Sequence, residues 1–262
     1  LTLGIDYFVN DAFSCSHRRH SSTVGVTNFL PSFMGTHLEK EIKALEGVLN
    51  KPNKPVAAII GGSKVSTKID VINFLLKKMD IIIIGGAMAN TFVAAKGLDV
   101  GKSLFEKECI DLAKELIEKS QNNNCNLILP TDFIVSKNLK KNAEYTTTNF
   151  DSMPHNMMAL DIGPKSIELI NKNINNCKTI LWNGPLGAFE TYPFDKGTNK
   201  VASHVSSLTK QKKILSVAGG GDTVSALNNA KVLNDFSYVS TAGGAFLEWL
   251  EGKVLPGIEP IS

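Results

Sequence analysis

Apolar residues in this chain gather in short unbroken blocks that stop at glycine. "PVAAIIGG", "DIIIIGG" and "KILSVAGGG" show the unit plainly, "KTILWNGPLG" and "YVSTAGG" more loosely, and a helix-like segment follows each. Blocks with no polar alternation predict strands buried on both faces, as in a parallel sheet covered by helices. "NLILPTDFIV" adds one more strand without the glycines. Strands alternating with helices predict an α/β fold with a doubly wound parallel sheet, Rossmann-like and three-layered.

Two helix starts are predicted from side-chain chemistry. Thr36 and Glu39 read as a capping box ahead of Leu38, Ile42, Leu45 and Leu49. Ser103 and Glu106 read as a second, ahead of Cys109, Leu112, Leu116 and Ile117. Asn-rich stretches such as "SQNNNCN" read as turns.

In such a sheet ligands bind beyond the carboxyl ends of the strands, and all five glycine turns are expected there. Helix N-termini at that edge carry partial positive charge. Five of them predict an anion with several charges, such as a nucleoside triphosphate.

Composition narrows this only slightly. The 262 residues, 43% hydrophobic, suffice for one large domain or one and a fraction. The net charge of +3 is spread out with no polybasic run, so neither nucleic acid nor a membrane is an expected partner. The longest apolar stretch is too short to span a bilayer. "LTLGIDYF" shows no signal peptide, but the chain does not open on Met and reads as a piece or a processed product. Cys15, Cys109, Cys125 and Cys177 are widely spaced with no metal-type pair, which predicts reduced thiols in a cytoplasmic protein.

Four clusters could carry chemistry. In "GGSKVSTK", Lys64 and Lys68 are expected four apart on one helix face, where like charges cost roughly 0.2–0.5 kcal/mol that a bound anion would remove. Two solvated lysines are the plainer alternative, and neither P-loop nor dinucleotide spacing is present. In "GGGDT", Asp222 either caps a helix or holds magnesium, which takes one or two carboxylates plus substrate phosphates. "WNGPLGAFE" places Asn183, Pro185 and Glu190 on a long turn; Glu190 reads as a first-turn helix acid, with ribose binding as the alternative. "HRRHSS" holds His17, Arg18, Arg19 and His20, a pattern that suits phosphate or carboxylate better than metal.

Taken in order, "YFVNDAFSCSHRRHSS", "GGSKVSTKI", "IIIGGAMANTF", "DVGKSLFE", "LPTDF", "LDIGP", "LWNGPLGAFE", "GGGDT" and "LEWLEGKVLPGIE" resemble phosphoglycerate kinase along the whole chain. The resemblance implies reversible phosphoryl transfer between ATP and the carboxylate of 3-phosphoglycerate, giving 1,3-bisphosphoglycerate and ADP, by a cytoplasmic monomer using Mg²⁺. It implies that Lys64 and Lys68 contact the nucleotide phosphates, with Lys64, Gly220 and Gly243 stabilising the transferring group. Gly219, Gly220, Gly221 and Thr223 would line the phosphate turn, and Asp222 would hold magnesium. Ala159, Leu160, Asn183, Pro185 and Glu190 would surround the nucleoside, and Arg18 would grip the phosphoglycerate.

The implied domains are a phosphoglycerate-binding remnant (1–36), an interdomain helix (37–50), a nucleotide-binding domain (51–250) and a tail (251–262) that returns to the first. Most of the family's N-terminal domain has no counterpart before Leu1, so poor turnover and loose packing of the first 33 residues and the tail are expected. Ala87 and Ala242 replace usual glycines, and the Ala242 methyl is expected near the transferring phosphate. A non-catalytic nucleotide-binding remnant is the alternative function. A nicotinamide oxidoreductase lacks its fingerprint.

Overall fold

The computed structural model describes residues 1–261. In chain order the elements are β1 (Phe8–Asn10), β2 (Ser32–Met34), α1 (Thr36–Leu49), β3 (Val56–Ile60), α2 (Ile69–Leu75), β4 (Ile81–Ile84) and α3 (Met88–Ala95). There follow α4 (Ile110–Asn122), β5 (Asn126–Ile128), β6 (Asp132–Ser136), β7 (Thr146–Asn149), β8 (Met158–Ile162) and α5 (Pro164–Ile174). The chain continues through β9 (Thr179–Asn183), α6 (Lys196–Lys210), β10 (Leu215–Gly219), α7 (Gly221–Asn229), β11 (Tyr238–Ser240) and α8 (Gly243–Leu250).

The main sheet has the order β11-β10-β9-β3-β4-β5, and every pairing in it is parallel. Successive strand residues feed opposite layers. Ala58, Ile60, Ile82, Ile84, Leu181 and Val217 pack with α1, α2, α3, α4 and α8. Ala57, Ile59, Ile83, Ile180, Trp182 and Ala218 pack with α5, α6 and α7. This is the three-layer, doubly wound α/β fold that the unbroken apolar blocks predict. The strand order runs outward from β3 to β5 on one side and from β9 to β11 on the other, so β3 and β9 flank the switch point.

Local expectations differ in four places. "NLILPTDFIV" is two strands: β5 edges the main sheet, while β6 joins an antiparallel sheet in the order β7-β6-β8. Pro130 falls between them, where proline cannot continue a ladder. The helix after "GGSK" begins only at Ile69, and residues 62–68 are turns. Lys64 and Lys68 therefore share no helix face, and the like-charge argument does not apply.

Neither capping box forms. Helix α1 takes Gly35 as its N-cap and receives its cap from Asp11, whose Oδ1 accepts the N–H groups of His37 at 2.6 Å and Leu38 at 3.0 Å. Ser103 and Glu106 precede a short 3₁₀ turn and bond elsewhere.

The ends of the chain pack unevenly. Leu1, Leu3, Ile5, Tyr7, Val9, Phe29 and Phe33 are exposed, in line with a loosely packed first segment. Asn10, Phe13 and Ser16 are buried, contrary to it. Asn10 Nδ2 donates to the Gly257 carbonyl at 2.9 Å, the Gly257 N–H donates to Ser16 O at 2.8 Å, and Phe13 meets the Trp249 ring. Polar groups in the first segment thus find buried partners in the tail, while the apolar β1–β2 face stays open.

Candidate nucleotide-binding site

The glycine turns after β3, β4, β9, β10 and β11 all lie at one edge of the sheet, on five neighbouring strands. They interlock first with each other. A side chain at Gly61 would strike the carbonyls of Gly184 and Pro185, and one at Gly184 would strike the backbone of Gly61. The Gly61 N–H donates to the Asn183 carbonyl at 2.9 Å. These two glycines let the β3 and β9 turns touch backbone to backbone at the switch point. Gly62, Gly221 and Gly243 face open space instead.

A polar network crosses the same point. Lys68 Nζ donates to Asn183 Oδ1, and Asn183 Nδ2 donates to the Gly219 carbonyl at 2.7 Å. The Gly184 N–H donates to Thr223 Oγ1 at 2.7 Å. Asn183 and Thr223 are buried. Gly220, the N-cap of α7, has φ of 97°, and an added methyl there would sit 2.7 Å from Asn183 Nδ2. Both the backbone sign and the close approach demand glycine. Burial pushes the Lys68 ammonium down from 10.5 to about 8, against the raising influence of Asp222 and Glu251.

Asp222 lies in the first turn of α7, exposed, and no side chain caps that helix. Its carboxylate accepts no hydrogen bond from the described residues, which answers whether it is a cap: it is not. An uncommitted carboxylate oxygen, at a helix start and on the wall of a cleft, is a suitable donor for a hard divalent cation.

The cleft, about 320 Å³, opens at this edge. That lies at the lower end of the range for small-molecule sites. Ala159, Leu160, Pro185, Glu190 and Asp222 line it together with Gly62 and Ser63. Ala159 and Leu160 belong to β8, so the antiparallel sheet supplies the wall opposite the glycine turns. Phe133, Leu104, Leu139 and Phe189 complete an apolar patch that the sequence did not single out. Each looks like an ordinary core or loop residue until β6–β8 folds against the turns.

Lys64, Gly219, Gly243 and Arg18 are not among the residues that line the cleft. Lys64 is exposed on the turn after β3, Gly219 packs its α-carbon against the Phe246 ring, and Gly243 starts α8. Arg18 is exposed and adjoins His17, whose ring lies against Gly244 in the first turn of α8. Ala87 has helical φ and lines the cleft. The Ala242 methyl is buried and packs in the hydrophobic core.

Asp161 also borders the cleft but is fully engaged. It accepts the N–H groups of Gly197 at 2.6 Å and Ile162 at 2.9 Å, and burial raises its pKa.

The family model for phosphoglycerate kinase matches residues 1–253. Phosphoglycerate kinases of Allorhizobium ampelinum and Brucella melitensis are 52% and 53% identical to the chain over 253 and 254 residues. Each alignment covers 97% of this chain, but only 63% and 64% of those relatives. The chain thus spans just under two thirds of the relatives it matches. The structure of phosphoglycerate kinase from Coxiella burnetii superposes with a TM-score of 0.94 at 44% identity, over 97% of this chain and 65% of that one. The Pyrococcus horikoshii enzyme gives 0.82 at 29% identity, over 98% and 64%. Motif order, sheet topology and these likenesses agree, and the chain belongs to the phosphoglycerate kinase family.

Proposed function

We propose that these residues carry the nucleotide half of a phosphoglycerate kinase, which transfers a phosphoryl group reversibly between Mg-ATP and the carboxylate of 3-phosphoglycerate. One observation carries the reading: the uncommitted Asp222 carboxylate lines a cleft with an apolar wall, and the half-buried Lys68 ammonium stands on the segment whose Gly62 and Ser63 line that same cleft. On this reading the nucleoside lies between the β8 wall and the turn from Pro185 to Glu190, with Glu190 toward the ribose. The phosphates lie toward Lys64, Lys68 and the starts of α7 and α8.

Such a transfer needs no protein nucleophile, because positioning and charge around the moving group do the work. Mg²⁺, when bound at Asp222, would neutralise phosphate oxygens. Lys68 donates from a site held by Asn183, and Lys64 reaches the transferring group from the start of the same turn. The amides at Gly220 and Gly243 face developing negative charge without reorganising. Arg18 would hold the phosphate of the acceptor. The domain partition given above, a monomeric state and a cytoplasmic location belong to the same proposal. Among the described residues, no helix is long and apolar enough to cross a membrane.

Calorimetry with Mg-ADP and Mg-ATP tests the nucleotide half. Saturable binding is expected, weakened by Asp222→Asn only when magnesium is present. No heat from a demonstrably folded sample rejects the reading. Turnover of 3-phosphoglycerate by this chain alone is expected to be slow. Arg18 is its one acceptor candidate, and a charge-assisted contact contributes only roughly 1.5–3 kcal/mol.

A further inference from the structure

Apart from the Leu104 side chain in the apolar wall, the segment from Ser103 to Glu106 has no role in the reading above, yet it is tied on every side. Ser103 Oγ accepts the Ala159 N–H at 2.8 Å, on the strand that walls the cleft. The Leu104 carbonyl accepts from Asn90 Nδ2 at 3.0 Å, and the Leu104 side chain lines the cleft. The Glu106 N–H donates to Thr91 Oγ1 at 3.1 Å. The Glu106 carboxylate crosses to the turn after β3, accepting the Ser66 N–H at 3.0 Å and its hydroxyl at 2.5 Å.

That turn carries Lys64 and Lys68 and is not helical. The backbone from 62 to 68 therefore lacks the ladder that would hold a helix in place. Burial opposes the charge on Glu106, but the Ser66 hydroxyl and amide, the Val65 amide and nearby Lys64 outweigh it and keep the carboxyl ionised to lower pH than usual. An ionised acceptor makes stronger, shorter hydrogen bonds than a neutral one.

We infer that Glu106 is a positioning residue for nucleotide phosphates: its carboxylate fixes the turn that bears Lys64, and its segment reaches the cleft wall through the bond between Ser103 and Ala159. Glu106 does not touch the ligand. It acts through Ser66 on where Lys64 points. The inference rests on the proposed nucleotide site, and its test is built to fail separately from that proposal.

The experiment compares adenosine, ADP and ATP, the nucleotides with magnesium, on the 262-residue chain by calorimetry. The proteins are wild type, Glu106→Gln, Glu106→Ala and Ser66→Ala, each checked for an intact thermal transition. A positioning role predicts that adenosine affinity is unchanged while the loss grows with phosphate number. For Glu106→Ala the ATP loss is on the order of tenfold, as expected for one lost charge-assisted contact. Glu106→Gln keeps the shape and one acceptor and should fall between, as should Ser66→Ala. Should Glu106→Ala fail to fold, those two variants carry the test.

Equal losses for adenosine and ATP would mean a general packing role and overturn the inference. Tighter ATP binding by Glu106→Gln would show that the carboxylate merely repels phosphate, and would also overturn it. No binding of any ligand by the wild type would instead reject the site itself.

Discussion

Lys68 shows how one side chain can report on both folding and binding. Burial lowers its pKa from 10.5 to about 8, while Asp222 and Glu251 pull the other way. The unfolded chain keeps the proton to about pH 10.5 and the folded chain releases it near 8. Unfolding then takes up a proton in that window, so stability rises with pH there. Nucleotide binding has the opposite sign, because phosphate favours the charged ammonium. Mg-ADP affinity should be level below about pH 7 and fall above pH 8, by at most about tenfold per unit. Lys68→Met should bind more weakly and flatten that profile between pH 7 and 10. A wild-type affinity constant across the range would remove Lys68 from the phosphate site. The pairing with Asn183 lay beyond sequence reasoning, since the two are 115 positions apart. Both residues stood out in their motifs, but only the switch point places one on the other.

The helices and strands divide by how local their causes are. β3 and β4 are legible because every residue is apolar and glycine follows at once. Their successors are less so. The cap of α1 comes from Asp11, 26 and 27 positions before the amides it accepts, so no local pattern could announce it. A capping box at Thr36 was the reasonable local reading, and a remote carboxylate displaced it. Asp11→Ala should cost about 1 kcal/mol and lower the thermal midpoint by roughly 2–4 °C. Faster amide exchange at His37 and Leu38 should accompany it. An unchanged midpoint would show that Thr36 or water replaces the cap without loss. The antiparallel β7-β6-β8 sheet was hidden for another reason. β7 is a run of threonines and asparagine, and the apolar stretch of β6 continues that of β5 across Pro130.

Across the whole molecule, the first 36 residues meet the tail and α8 at a few buried points. Their buried contacts are polar at Asn10, Ser16 and Gly257 and apolar at Phe13, Leu255 and Ile258, which join the core, while Leu1, Leu3, Ile5, Tyr7, Val9, Phe29 and Phe33 lie exposed. Amide exchange should therefore split within this one segment. Residues 1–5 should exchange at nearly unprotected rates, whereas Ser16 and Gly257, whose N–H groups donate to Phe13 and Ser16 carbonyls, should be protected. Uniformly fast exchange would mean that the tail contact does not persist in solution. The sequence by itself determined the layer architecture and the edge of the sheet where the glycine turns gather. Continuous apolar blocks admit burial on both faces only, and glycine ends each block at the same point of the repeating unit. Tertiary structure alone decided which glycines face open space and which face each other, and that Asp222 is not a cap. It also tied Glu106 to the turn that bears Lys64 and folded a second sheet into the cleft wall. Each of these is a contact between segments far apart in the chain, set by how strands order across the sheet rather than by any residue's neighbours.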